Sequence, residues 1–389
     1  MFPTNHKTIF VLDHTPYFGI SSENPIDFDV SKSRGPGYVP LPPICKSLWT
    51  CSVEAAVEYC RIVWDLFPDG KLVRFVVSDS AAHILNTWAV AQQNLTHVLN
   101  GLCLVGPVRR GAGGDVVGLC AAIDSLGEPS PTQTTKPNPE RHVQNKIICI
   151  TSARDDDSIR SLAEIALNTI VQHNKKVLSQ VQPNTSSDPN HPLNKQTNRM
   201  LTIYKMFHIQ MGGGLLSVEV IVSRASQLAA LLGRLVLPHY KLATTTVTGI
   251  PMKEEQNASS SANYDVEIVH SLEAHAGLRA SQTAAEVVLR WWTPRGAEGG
   301  AGGCTGPLWR VTPSDVASRP SACLVNFLLN GRSVTLEVPR YMLSASHVLA
   351  AQGGELWIGA IGGRTPYDDP PSLSEGAGGR VTDYRYLVV

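Results

Sequence analysis

Four consecutive apolar residues, Ile9-Phe10-Val11-Leu12, end abruptly at Asp13. A short run without polar alternation suits a strand covered on both faces. A sheet flanked by helices supplies that cover, so helices should follow in the chain. Trp49, Val53, Ala56, Val57, Cys60, Val63, Trp64 and Phe67 recur at steps of three and four, one helix stripe stopped by Pro68 and Gly70. Leu72 to Val77 reads as a second strand closed by Ser78-Asp79-Ser80. A helical period is expected from Ala82 to Leu104, and a shorter one from Val116 to Leu126. Lys146 to Ile150 reads as a third buried strand. Asp155, Asp156 and Asp157 then open a helix striped by Ile159, Leu162, Ala166, Ile170, Asn174 and Val177, with the acids at the positive end of its dipole.

Leu201 to Met211 and Leu215 to Val222 read as further strands, the second leading into a helix through Leu228, Leu231, Leu232 and Leu235. Such alternation implies right-handed crossovers and a doubly wound, mostly parallel sheet over residues 1–240. Two polar segments, 127–145 and 179–198, are rich in Pro, Ser, Thr and Asn and are expected as mobile surface insertions. After Pro238 the texture becomes β-rich. Thr244 to Thr248, Val266 to Val269, Val287 to Trp292 and Leu356 to Ile358 read as strands. Leu324 to Leu329, Asn330-Gly331 and Ser333 to Val338 read as a hairpin, because Asn-Gly suits both positive-φ positions of a type I′ turn. With glycine-rich loops at 296–306, 359–363 and 376–379, residues 241–389 are expected to form an antiparallel β-barrel or sandwich.

Charge excludes little by attraction. Lys+Arg and Asp+Glu both number 33, so nothing general draws the chain to nucleic acid or anionic lipid. Arg109-Arg110 and Lys175-Lys176 are too small for an electrostatic footprint on nucleic acid. Leu228 to Leu237 is the longest apolar stretch, and Gly233 and Arg234 interrupt it well short of a bilayer span. The N-terminus carries no signal-peptide pattern, so the chain is expected inside the cell with its sequons at Asn94, Asn184 and Asn257 unused. Cysteines 45, 51, 60, 103, 120, 149, 304 and 323 form no C-x-x-C and no zinc-finger spacing, and are expected as buried thiols.

Ligands of open α/β sheets sit beyond the carboxyl ends of the strands. Asp13 and Thr15 stand there as hard oxygen donors suited to Mg²⁺, with Asp79 and Asp155 after the other two strands. Such residues more often serve as helix caps and loop fasteners. No phosphate loop, nucleophile elbow or H-E-x-x-H occurs, and Gly111 to Gly114 follows no strand. His208, expected within a strand, and Trp291-Trp292 read as structural. No nucleophile, base and orienting group assemble from any motif, so an enzyme is the least expected class.

A first strand ending in Asp-x-Thr resembles a von Willebrand factor A (VWA) domain, whose metal is held by D-x-S-x-S. Here Thr15 keeps a hydroxyl, but Tyr17 replaces the second small one, so Asp13, Thr15 and Tyr17 resemble a degenerate site without metal or cofactor. The segments FVLDHTPY (10–17), KSLWTCSVE (46–54), EYCRIVWDLFP (58–68), VSDSAAH (77–83), IPMKEEQ (250–256), SANYDVE (261–267), SRPSACLVNFLLNGRSVTLE (318–337) and SEGAGGRVTDYR (374–385) are similar to the Asunder family, Integrator complex subunit 13. That resemblance implies a VWA-like domain and a β-barrel in a Ku-like arrangement, with no enzymatic activity. It implies pairing with the paralogous Integrator subunit fourteen and contact with subunit ten, in support of snRNA and RNA polymerase II transcript processing. It implies links to mitosis, cell division and dynein localisation, residence in nucleus and cytoplasm (perinuclear), and no membrane partner. Since the family continues beyond VTDYR, the resemblance implies a C-terminally truncated member that keeps its paralogue-binding half. Two alternatives remain open: a metal-dependent VWA ligand-binding module using Asp13, Thr15 and Asp79 or Asp155, and a module that contacts nucleic acid when paired.

Overall fold

The computed structural model describes residues 5–25, 44–108, 114–135, 143–153, 155–181, 209–211, 216–254, 257–274, 287–291, 307–337 and 347–361. The expected strand over 201–208 with His208, the polar residues 182–198, Arg109-Arg110, Trp292, Cys304 and the glycine-rich 296–306 and 376–379 lie outside the described residues. The chain divides into two compact units, Met1–Leu235 and Val236–Val389.

Unit 1 runs β1 (His6–Asp13), β2 (Ser21–Pro25), β3 (Cys45–Ser47), α1 (Leu48–Leu66), β4 (Lys71–Ser78), β5 (Ala82–Ile84), α2 (Leu95–Val105), α3 (Asp115–Gly127), α4 (Pro131–Thr135), β6 (Gln144–Ile150), α5 (Asp156–Val181), β7 (Ile209–Met211) and β8 (Leu216–Val218), then α6 (Leu228–Tyr240), within which the division falls. The main sheet has the order β5-β4-β1-β6. β1 pairs in parallel with β4, His6 opposite Lys71 through Asp13 opposite Ser78, and with β6, His6 opposite Gln144 through Leu12 opposite Ile150.

Successive side chains of β1 point to opposite faces. Ile9, Val11 and Val76 join Leu119 and Ile123 of α3 and Ala166 and Ile170 of α5 in one core. Phe10 stacks on Phe75 at 5.3 Å and meets Tyr59 of α1 edge-on at 5.1 Å, filling the other face. The uninterrupted apolar run is therefore covered twice, as its sequence requires. Ser47 starts α1 by accepting a hydrogen bond from the Thr50 amide at 3.1 Å.

Three expectations for this unit are corrected. The continuous helix over Ala82 to Leu104 is instead the antiparallel edge strand β5, a loop, and α2. Side-chain amides decide it. Asn86 accepts from the Phe75 amide and donates to the Val73 carbonyl, both at 2.9 Å, while Gln93 accepts from the Val73 amide at 2.8 Å. These groups satisfy the edge of β4 in place of a longer strand. Asn94 then caps α2 by accepting from the His97 amide at 2.8 Å. The strand expected to Val222 stops at Val218, and β7 and β8 pair antiparallel, Ile209 opposite Val218 through Met211 opposite Leu216. Segment 127–145, expected as a mobile insertion, contains α4, the fully buried Ser130 and the start of β6.

A buried polar cluster explains why that segment packs. The Lys7 ammonium donates to the carbonyls of Leu126 and Glu128, and the Trp88 indole N–H to that of Ser125, capping the C-terminus of α3. Arg74, 1 % exposed, lies 4.1 Å over the Trp88 ring and reaches the Glu128 carboxylate at 2.8 Å. Burial and the Arg74 charge lower the Lys7 pKa from 10.5 to about 8, against the opposing pull of Glu128. Between these two values the unfolded chain binds the proton and the folded chain does not, so stability rises with pH there. We expect Lys7 to contribute a rise of about 3 kcal/mol between roughly pH 8 and 10.5. Urea titrations of wild type and Lys7→Met across that window should diverge by this amount. Parallel pH curves would remove Lys7 as the cause.

α3 approaches the sheet at Gly118. An added Cβ there would lie 2.4 Å from Ser78 Cβ and 3.1 Å from a Val11 methyl. The Gly118 amide donates to Ser78 Oγ at 2.9 Å, and that hydroxyl donates to the Gly114 carbonyl at 2.6 Å. Gly118→Val should therefore lower stability by about 1–3 kcal/mol through overpacking. A thermal midpoint equal to wild type would show that α3 can move off the sheet freely.

Unit 2 is a closed barrel. Its elements are β9 (Leu242–Glu254), β10 (Asn257–Ser271), β11 (Val287–Trp291), β12 (Leu308–Pro313), α7 (Arg319–Leu329), β13 (Ser333–Glu337), β14 (His347–Gln352) and β15 (Glu355–Ala360). The strands follow the order β10-β12-β15-β14-β13-β11-β9, and β9 closes on β10. β9 and β11 run parallel, while the other neighbours run antiparallel. Val247, Ile268, Leu289, Val311, Leu336, Leu349 and Ile358 form the core, together with Leu324 and Leu328 of α7.

The expected hairpin across Asn330-Gly331 is thereby overturned. Arg319–Leu329 is a helix capped by Ser318, which accepts from the Ser321 amide, with Pro320 in the first turn. Leu324, Phe327 and Leu328 share its packed side, at helical rather than strand spacing. Gly331, at φ 78°, stops the helix by donating its amide to the Leu328 carbonyl at 3.0 Å. The two-residue hairpin turn belongs to Gly353 and Gly354, both at positive φ, between β14 and β15.

Candidate functional site

The carboxyl ends of β1, β4 and β6 bring together Asp13, His14, Asp79 and Thr151. Asp13 is the last residue of β1 and only 3 % exposed. One carboxylate oxygen accepts from the Thr15 amide at 2.9 Å and the other from the Thr151 hydroxyl at 2.9 Å. Thr151 follows β6 directly, so the carboxylate fastens two loops to each other. His14 extends the β1–β4 ladder through its amide, 2.8 Å from the Ser78 carbonyl. Its imidazole is buried edge-on against Trp49, with ring centroids 4.5 Å apart. Nε2 donates to the Gly106 carbonyl at 3.2 Å, since a carbonyl only accepts. Nδ1 lies 3.6 Å from an Asp79 oxygen.

Asp79 opens the turn between β4 and β5. Oδ1 accepts from the Ala81 amide at 2.9 Å and stands 3.1 Å from His83 Nε2. Partial burial pushes its carboxyl upward, but the Ala81 amide and the His83 ring outweigh that effect and hold it below the usual carboxylate range. The Gly114 amide donates to the Asp79 carbonyl at 3.0 Å, bringing the start of α3 to the same crest.

Two anticipated residues are not part of this cluster. Tyr17 is 53 % exposed, with its ring against Phe18. Asp155 caps α5 by accepting from the Ser158 amide at 2.8 Å. Thr15 contributes its backbone amide to Asp13. The D-x-S-x-S metal does not fit these residues, because both Asp13 oxygens are already engaged by protein donors and the second hydroxyl position is a phenol. Among the described residues no group of three His, Cys, Asp or Glu side chains is placed to hold a metal. The thiols divide as well: Cys51 and Cys60 are buried as expected, whereas Cys103 and Cys323 are exposed. Trp49 and Thr151 carry no expectation from the sequence as site residues, and His14 enters only as part of the stretch His14 to Tyr17 that resembles a VWA site without its metal. The weak signals for His14 and Thr151 were their positions immediately after the first and third strands.

The family model described as cell cycle and development regulator Mat89Bb matches residues 2–387. The chain belongs to the Mat89Bb family. Similar curated proteins are each called "Protein asunder". The one from Drosophila willistoni is 44% identical over 99% of this chain and 61% of its own length. Those from Drosophila persimilis and Drosophila simulans are 45% and 43% identical, with 61% and 62% of their lengths covered. This Mat89Bb chain thus spans about 61% of the length of the curated relatives it matches. It is a mixed α/β protein with a closed seven-stranded barrel. No helix among the described residues is long and apolar enough to cross a membrane.

Proposed function

We propose that this Mat89Bb chain is a non-enzymatic scaffold subunit of the Integrator complex. Unit 1 is a VWA-like domain whose metal position has become a protein–protein fastening, and unit 2 is a barrel of the kind paired with VWA-like domains in Ku subunits. The chain pairs with the paralogous subunit fourteen and contacts subunit ten, supporting snRNA and RNA polymerase II transcript processing. It works in nucleus and cytoplasm, and its links to mitotic cell-cycle control and dynein localisation follow from that role. The observation that carries this reading is the family match over residues 2–387. The engaged Asp13 carboxylate supports partner binding that does not depend on metal.

The test is co-expression with subunit fourteen and sedimentation of the purified species with and without EDTA. A chelator-resistant heterodimer is expected. A dimer that dissociates in EDTA would return Asp13 and Thr15 to a ligand role, and a monomer that ignores the paralogue would overturn the scaffold reading.

A further inference from the structure

Unit 1 carries more strand-forming sequence than its fold pairs. Leu215 to Val222 reads as one strand, yet β8 ends at Val218, opposite Ile209 of β7. Residues 219–222 run on without regular structure. Val220, Ile221 and Val222 are all exposed, Val222 at 93 %. The chain itself makes this apolar surface contiguous. β-branched residues suit a pleated, half-buried surface, and three in succession facing water gain nothing from it. Among the described residues, no backbone group hydrogen-bonds to the main chain of 219–222. Unpaired strand-forming backbone is a template for another strand, and folds commonly blunt it with proline or lysine. Neither occurs in 219–222.

Charges stand at the two ends of the run. Glu219 precedes it and the exposed Arg224 follows it, and among the described residues neither has an ion-pair partner. A helix or a nucleic acid has no free ladder of N–H and C=O groups to offer such a segment, whereas an extended polypeptide has. Directly opposed side chains of an antiparallel pair share a face and interact. The complementary strand therefore has a basic residue against Glu219, an acidic one against Arg224 and apolar residues between.

We propose that residues 219–224 take up an antiparallel strand from a partner polypeptide with that pattern of charge and apolar residues. The inference rests on the scaffold reading, to which it adds a docking segment and the chemistry of what docks. Its test is separate. The probe is a fluorescein-labelled peptide, Glu-Thr-Ile-Val-Val-Lys, which when antiparallel sets its glutamate against Arg224 and its lysine against Glu219. Fluorescence anisotropy with the full chain should show saturable binding, and hydrogen exchange over 219–222 should slow when the peptide is bound.

The charge-exchanged peptide Lys-Thr-Ile-Val-Val-Glu should bind about tenfold or more weakly. The original peptide N-methylated at its three central residues is more apolar but cannot donate, and it should lose as much. Ile221→Pro combined with Val222→Pro takes an amide from each edge of the segment and should abolish binding while leaving the thermal midpoint unchanged. The N-methyl comparison is made on the wild-type chain and stands however that variant folds. Equal binding of the N-methylated or the charge-exchanged peptide overturns the proposal, since apolar adhesion would then explain the association. So does a chain that sediments as a dimer which the two prolines disperse, because a second copy would then fill the place. A chain that pairs normally with subunit fourteen yet captures no peptide overturns this inference alone.

Discussion

Leu328→Ala is expected to remove about 2–5 kcal/mol from the stability of the barrel. The side chain is fully buried and packs with Leu324 of its own helix and with residues from the barrel strands. Truncation there loses the transfer energy of the removed methyl groups and leaves a void between helix and strands, which a closed barrel relaxes poorly. The neighbouring Leu329 is 51 % exposed, so Leu329→Ala should stay within about 0.5 kcal/mol of wild type. Hydrogen exchange on peptides from β13, β14 and β15 measures the barrel separately from unit 1. Helical packing also makes a demand that strand packing does not. Phe327 contacts Trp291 and the Arg332 guanidinium, whereas Asn326 is exposed. Phe327→Ser should therefore destabilise far more than Asn326→Ser, where a hairpin strand would give the reverse. Loss of less than about 1 kcal/mol for Leu328→Ala would place α7 outside the core.

That contrast shows how local signals are read and misread. Ile9 to Leu12 and Leu72 to Val77 were legible because a parallel strand buried twice leaves no polar alternation to confuse, and Lys146 to Ile150 was legible as a strand although it is mostly half-buried. The helix at Leu48–Leu66 was legible through its stripe and its proline stop. Asn330-Gly331 was ambiguous, since a positive-φ glycine ends a helix as well as it turns a hairpin. The deciding residues were Ser318 and Phe327, which set a capped start and a three-to-four spacing. The edge strand β5 was hidden because Asn86 and Gln93 replace backbone partners with side-chain amides, a choice made by tertiary contact. At the crest, Asp13 could be placed from its strand alone. Its partner Thr151 stands 138 residues away, and only the fold brings them together.

Acid should weaken the barrel through His347. This imidazole is 4 % exposed in β14, and burial lowers its pKa from 6.5 to about 4. Below about pH 6.5 the unfolded chain takes up a proton that the folded barrel refuses until about pH 4. The unfolded state then binds more protons, so stability falls as pH falls across that window and is flat above it with respect to this group. The full loss is about 3 kcal/mol. Carboxylates elsewhere in the chain also take up protons as the pH falls. The informative quantity is therefore the difference between wild type and His347→Gln, which is polar, uncharged and similar in reach. Hydrogen exchange on β14 and β15 at pH 7 should show wild type at least as stable as the variant. By pH 4 that difference should have moved by about 3 kcal/mol in favour of His347→Gln. His270 offers an internal comparison: it is fully buried but held by Thr245 at 2.7 Å, and it stays in place in both proteins. A difference that does not change between pH 7 and 4 would mean His347 is protonated within the folded barrel and paired there.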